Sequence, residues 1–131
     1  MVKCVSSALN LSVKVFYNPD RIKYMLIGTV TSKNNIAIRL TEERWLHIIM
    51  SHKEIDASDF PLVLDTIENP DFILEGDLDE LLAVKRKSGK KTWFVVAYKE
   101  VNNSDGFILT AYITTDSRWL FKRKILWNKT L

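Results

Sequence analysis

Cysteine is nearly missing from this chain of 131 residues, in which Cys4 stands alone. A single thiol excludes an internal disulfide framework. Histidine is almost as scarce: His47 and His52 are the only two, five positions apart in RWLHIIMSHKEI, residues 44–55. No run approaches the roughly 18 apolar residues that a membrane-spanning helix needs. The opening MVKCVSSALNLSVKVFY holds no uninterrupted apolar stretch of the kind a secretory leader carries. Together these absences make a cytoplasmic protein the expectation. Internal repeats, low-complexity tracts and linkers are also missing, and the length suits one domain with its own core. At 47% hydrophobic and 27% charged residues, the composition is that of a globular chain.

Charge is unevenly spread. Residues 1–38 carry five basic residues and one acid, residues 39–79 three basic and eleven acidic, and residues 80–131 eleven basic and four acidic. An acidic middle and a basic final third imply one of two things. Either the faces differ and the basic one suits a polyanion, or the two segments lie side by side and neutralise each other.

The pattern of apolar residues predicts an α+β domain. VKVFYNP and RIKYMLIGTV read as strands about a turn at Asn18-Pro19-Asp20. Thr41 followed by Glu42 and Glu43 reads as an N-cap with acids in the first helical turn, the helix running to Ser51 or Lys53. Ser58 or Asp59 caps a second helix, with Pro61 in its first turn and a stop at Asn69-Pro70. DFILEGD, ELLAVKRK, KTWFVVAYKE and GFILTAYIT then read as four antiparallel strands separated by turn residues. The tail RWLFKRKILWNKTL reads as a short helix, a final strand, or both. The expected architecture is two helices packed on one face of an antiparallel sheet of four or more strands, with residues 1–37 as an N-terminal strand-like extension of a core spanning 38–126.

Five residues turn a helix by about 500°, so His47 and His52 stand about 140° apart and cannot chelate one ion from a shared face. The glutamate of a His-Glu-x-x-His pair is missing too, and no metal site is expected. Trp45, Ile48, Ile49 and His52 do share a face, which puts His52 at the end of the buried stripe. There an imidazole suits general acid–base chemistry, or simply caps the helix's last carbonyls. His47 falls on the outer, solvated face.

Three further groups carry chemistry or its bland alternative. Lys85 and Lys87 share one strand face and Arg86 takes the other, a set that either holds phosphate or guards an edge strand. Alternation puts Thr110, Tyr112 and Thr114 on one face of their strand, with Leu109, Ala111 and Ile113 on the other. That hydroxyl row lines a groove or faces solvent. Arg118, Lys122, Arg123 and Lys124 interleave with Trp119, Phe121 and Trp127, a pattern that suits a nucleic-acid surface, with some of the aromatics closing the core.

The His-x-x-Ile after the first helix, the Thr-Ile-x-Asn-Pro-Asp that ends the second and the Thr-Ala-Tyr strand together resemble the phage- and toxin-associated branch of the barnase–EndoU–colicin–RelE nuclease superfamily. The resemblance covers about residues 38–126. It implies two helices against a four-stranded antiparallel sheet, and metal-independent cleavage of RNA by attack of the 2′-hydroxyl on the adjacent phosphate, with no cofactor. It also implies a toxin or phage-related effector held by an antitoxin or inhibitor protein. By that resemblance His52 matches the family histidine, Lys85 or Arg86 the strand cation, and Thr110 or Tyr112 the hydroxyl position, while Arg123 supplies a further cation. The alternative is a non-catalytic RNA-binding or protein-interaction module on the same fold.

Overall fold

The computed structural model describes residues 26–87 and 91–130. The strand expected at VKVFYNP and its turn lie outside these residues. β1 (Leu26–Thr31) and β2 (Ala37–Thr41) form a hairpin. Its turn holds Asn35 at φ 67°, a left-handed conformation that asparagine tolerates. Helix α1 (Glu42–Ser51) starts where the sequence places it, with the Thr41 hydroxyl accepting from the Arg44 N–H at 3.2 Å. A 3-10 turn, Ala57–Asp59, then carries a capping box between Asp56 and Asp59, so the side-chain cap lies upstream of the predicted Ser58 or Asp59. Helix α2 (Phe60–Glu68) follows, with Pro61 in its first turn, and ends at Asn69 before Pro70. The meander is β3 (Phe72–Glu75), β4 (Leu81–Arg86), β5 (Trp93–Glu100) and β6 (Gly106–Thr114). The tail forms both a short helix α3 (Ser117–Phe121) and a strand β7 (Ile125–Asn128).

The α+β class holds, but the sheet is larger than the four strands that the resemblance implies, and it is mixed instead of wholly antiparallel. Among the described residues its seven strands run in the order β1-β2-β6-β5-β4-β3-β7. All neighbours are antiparallel except β2 and β6, which pair in parallel over only Ile38–Gly106 and Arg39–Phe107. The sheet curls around α2, which packs against β1, β4 and β5. At one end the curl brings the Lys33 ammonium, in the β1–β2 turn, to 5.1 Å from the ring centroid of Trp127 on the far edge strand.

The expectation of helices on one face only is corrected. β5 buries six consecutive residues, Trp93 to Tyr98, and a strand apolar on both sides must be covered on both. On one face Phe94, Val96, Tyr98, Ile108 and Ala111 pack under Trp45, Ile48, Val63 and Ile67 of α1 and α2. On the other, Leu82, Val84, Trp93, Val95 and Ala97 pack with Leu120 and Phe121 of α3. Phe72, Trp93 and Phe121 meet edge to face, their centroids 4.8–6.0 Å apart.

Gly106 allows the parallel junction. A Cβ at this position would collide with the Lys99 carbonyl oxygen and with Ile38 Cδ1. Gly106→Ala is therefore expected to cost about 1–3 kcal/mol through overpacking and to loosen β2 from β6. A thermal melt indistinguishable from that of the parent chain would show that the junction does not need glycine.

Candidate functional site

Among the described residues, the short pairing of β2 with β6 leaves the rest of that β6 edge without a strand partner. Helix α1 packs there instead, and the loop after it meets the edge. The Ile113 N–H turns outward and donates to Glu54 Oε2 at 3.3 Å. The same oxygen lies 3.6 Å from His52 Nδ1. His52 is the C-cap of α1. Its N–H donates to the Ile48 carbonyl at 2.9 Å and its own carbonyl accepts from the Ile55 N–H at 3.0 Å, so its backbone is held from both sides. Its side chain is 32% exposed, open to a ligand as well as to the core.

From His52 a row of side chains runs across to the far end of the sheet. The His52 and Tyr112 rings lie 6.0 Å apart and are tilted by 35°. Tyr112 and Trp119 are 6.4 Å apart. The Arg123 guanidinium stacks 4.7 Å over the Trp119 ring. Arg123 then grips Asp77 in the β3–β4 turn through two bonds, at 2.8 and 3.2 Å. Burial pushes the Tyr112 hydroxyl above its ordinary value, helped by Glu80 and Asp77 and opposed by Arg123. It therefore stays protonated at neutral pH and acts as a donor.

Strict alternation along β6 fails at one place. A register shift opposite Ala97/Tyr98 inserts an extra residue, so Leu109 joins the face of Tyr112 while Ile108 and Ala111 share the other. The Thr110–Tyr112–Thr114 face is therefore neither an open groove nor a solvent face along its length. It is part of the second core layer, open at Tyr112. Thr110 is half-buried opposite Ala97.

The basic residues of the sequence prediction are divided. Lys85 lies with α2: its ammonium donates to the Asn69 carbonyl at 2.8 Å and pairs with Asp65 at 3.2 Å, which caps that helix's C-terminus. Arg86 is on the Tyr112 face, its guanidinium 4.7 Å over the Trp93 ring. Lys87, Arg118, Lys122 and Lys124 are exposed. The site thus gathers His52, Tyr112 and Arg123 and leaves Lys85 elsewhere. His47 is exposed on the outer face of α1, as its spacing predicts. Glu54 and Asp77 were missed. Glu54 sits inside the HKEI stretch and has no spacing signal, and Asp77 reads as an ordinary turn acid.

Among the described residues, no three His, Cys, Asp or Glu side chains come together to hold a metal ion. No described helix is long and apolar enough to cross a membrane. A scan against protein-family models finds no match, and a search of curated proteins finds none either.

Among the described residues, three acids of the middle segment pair with cations of the basic final third, Asp65–Lys85, Asp71–Lys129 and Asp77–Arg123, while Arg39–Asp105 joins the same segments with the signs reversed. The most covered of the three acids is Asp71. Burial alone would push its carboxyl up, but the Arg86 N–H and the Lys129 ammonium, each at 2.8 Å, outweigh this and hold it below the usual value. A depressed carboxyl adds stability that is present above its unfolded pKa of about 3.9 and is lost as pH falls through the folded value. Acid titration of Asp71→Asn, followed by circular dichroism, is expected to show a shallower loss of stability below about pH 5 than the parent. Parallel curves would mean that the pair adds nothing.

Proposed function

We propose that this domain is a metal-independent RNA endonuclease, in which His52 and Tyr112 flank the scissile phosphate and exchange protons with it. The observation that carries the reading is the contact of these two rings at the edge of β6 that no strand of the described residues covers, with Glu54 beside His52. In the reaction the 2′-oxygen attacks the adjacent phosphorus and the bond from phosphorus to the 5′-oxygen breaks, giving a cyclic phosphate and a 5′-hydroxyl. One group takes the 2′-hydroxyl proton and another returns a proton to the 5′-oxygen.

Imidazole suits the first task. Glu54 lies 3.6 Å from Nδ1, on that side of the ring, and Nε2 is left for the 2′-hydroxyl. The Tyr112 hydroxyl, kept neutral by burial, suits the second. Thr110 shares the face and offers a further hydroxyl to the phosphate, and Arg86 and the exposed Lys87 place positive charge along the strand beyond Trp93. A toxin or phage-related effector restrained by an inhibitor protein is the setting in which such an activity belongs.

A second reading, a non-catalytic RNA-binding module, is favoured by the engagement of Lys85 and Arg123 with carboxylates of the domain's own acidic segment. It predicts salt-dependent binding without cleavage.

The deciding experiment incubates the purified chain with total RNA and with ribosomes in EDTA, beside His52→Ala and Tyr112→Phe. Each variant is expected to lose about a hundredfold in cleavage rate and to keep RNA affinity. Binding without cleavage by the parent on either substrate would establish the module. Equal cleavage by all three would place the chemistry on other residues.

A further inference from the structure

The Asp77–Arg123 pair is lopsided. The Arg123 side chain is only 10% exposed, whereas that of Asp77, in the β3–β4 turn, is 76% exposed. Arg123 Nε is fully buried and has no hydrogen-bond partner among the described residues. A buried guanidinium with an idle donor is costly to maintain, and its stacking on Trp119 fixes the plane of its fork. The fork already accepts an oxyanion: Asp77 places two oxygens against Nη1 and Nη2, as a phosphate does on arginine. Tyr112 and Arg123 both neighbour Trp119, the two rings 6.4 Å apart and the guanidinium 4.7 Å over the indole, which ties the fork to the row that begins at His52.

From this we infer that Arg123 is the phosphate-binding residue of the site, and that Asp77 is a displaceable carboxylate standing where a backbone phosphodiester of RNA binds. This inference deepens the nuclease reading and rests on it for the choice of RNA, but concerns binding alone. When RNA arrives, the Asp77 side chain returns to water, which it already largely occupies. A non-bridging phosphate oxygen takes its place on the fork, and a base lies against the 37%-exposed Trp119. The carboxylate holds the guanidinium in place and keeps weaker anions from it until then.

The test uses a fluorescein-labelled pentanucleotide of 2′-O-methyl RNA, which has no free 2′-hydroxyl and cannot be cleaved. Anisotropy at low salt is measured on the full chain. Asp77→Asn is expected to tighten binding about tenfold. Asp79→Asn removes the same charge two residues on, away from the fork, and is expected to change affinity by less than about twofold. Adding Arg123→Gln to Asp77→Asn is expected to abolish the gain, and a circular dichroism melt of each variant verifies folding. Equal gains from Asp77→Asn and Asp79→Asn would reduce the effect to net charge and overturn the inference. So would weaker binding by a folded Asp77→Asn chain, or a gain that survives the loss of Arg123. Because the probe cannot react, a chain that never cleaves RNA can still pass this test, and an active nuclease can fail it.

Discussion

The structure depends on a strand with no solvent side. Six consecutive buried residues in β5 require cover on both faces of the sheet, and α1 and α2 supply it on one face only. Among the described residues, the segment after β6 supplies the other, placing Leu120 and Phe121 against Trp93 and Val95. This need fixes the course of residues 117–124 and so sorts the aromatic–basic tail. Leu120 and Phe121 go inward, Arg118, Lys122 and Lys124 outward, and Trp119 and Arg123 stay at the border beside Tyr112. Cover for the core and assembly of the site are one event.

The opposite end of the site follows from a shortage of pairing. β2 leaves β6 after two residues, and backbone groups on an uncovered edge need partners. Glu54 meets that need at Ile113, and in doing so brings a carboxylate beside His52. The carboxylate beside the histidine thus belongs to a group whose first task is to close a sheet edge. Had β2 continued along β6, the site's histidine would have been separated from Tyr112 by a strand.

Much of the fold was legible because its signals are local. The Thr41 cap, the Asn69-Pro70 stop and the four meander strands each rest on residues adjacent in sequence, and each stands where it was read. The parallel contact of β2 with β6 joins residues far apart in the chain, and its one mark is Gly106, which in sequence looks like part of a turn. The second layer is harder to read, because the tail's aromatics suit a surface and a core alike, although WFVVAY already lacks a polar side. In the site, periodicity placed His52 at the end of a buried stripe and Tyr112 on the opposite strand face from Ala111, and both placements hold. Periodicity did not foresee the bulge that moves Leu109, nor that Lys85 turns to the end of α2. A bulge has no composition of its own, and a lysine's reach depends on which carbonyls the fold brings near.

The uneven charge along the sequence admits two explanations, neutralisation or distinct faces, and the ion pairs show both at once. Asp65 with Lys85 and Asp71 with Lys129 bind the end of α2 and the start of β3 to strands that come later in the chain, work that belongs to the fold. Asp77 with Arg123 differs in kind, since the cation is covered and the anion is not. The free energy of such a pair is dominated by the covered partner. Removing an anion from water is hardly required of Asp77, while leaving the guanidinium alone would expose it to the full cost of desolvation. Arg123 therefore needs some oxyanion at all times, but nothing in its surroundings requires that the oxyanion be Asp77. Asp71 with Lys129 is uneven in the opposite sense, with the anion covered and the cation exposed, so of the three pairs this one alone sets a covered cation against an exposed anion.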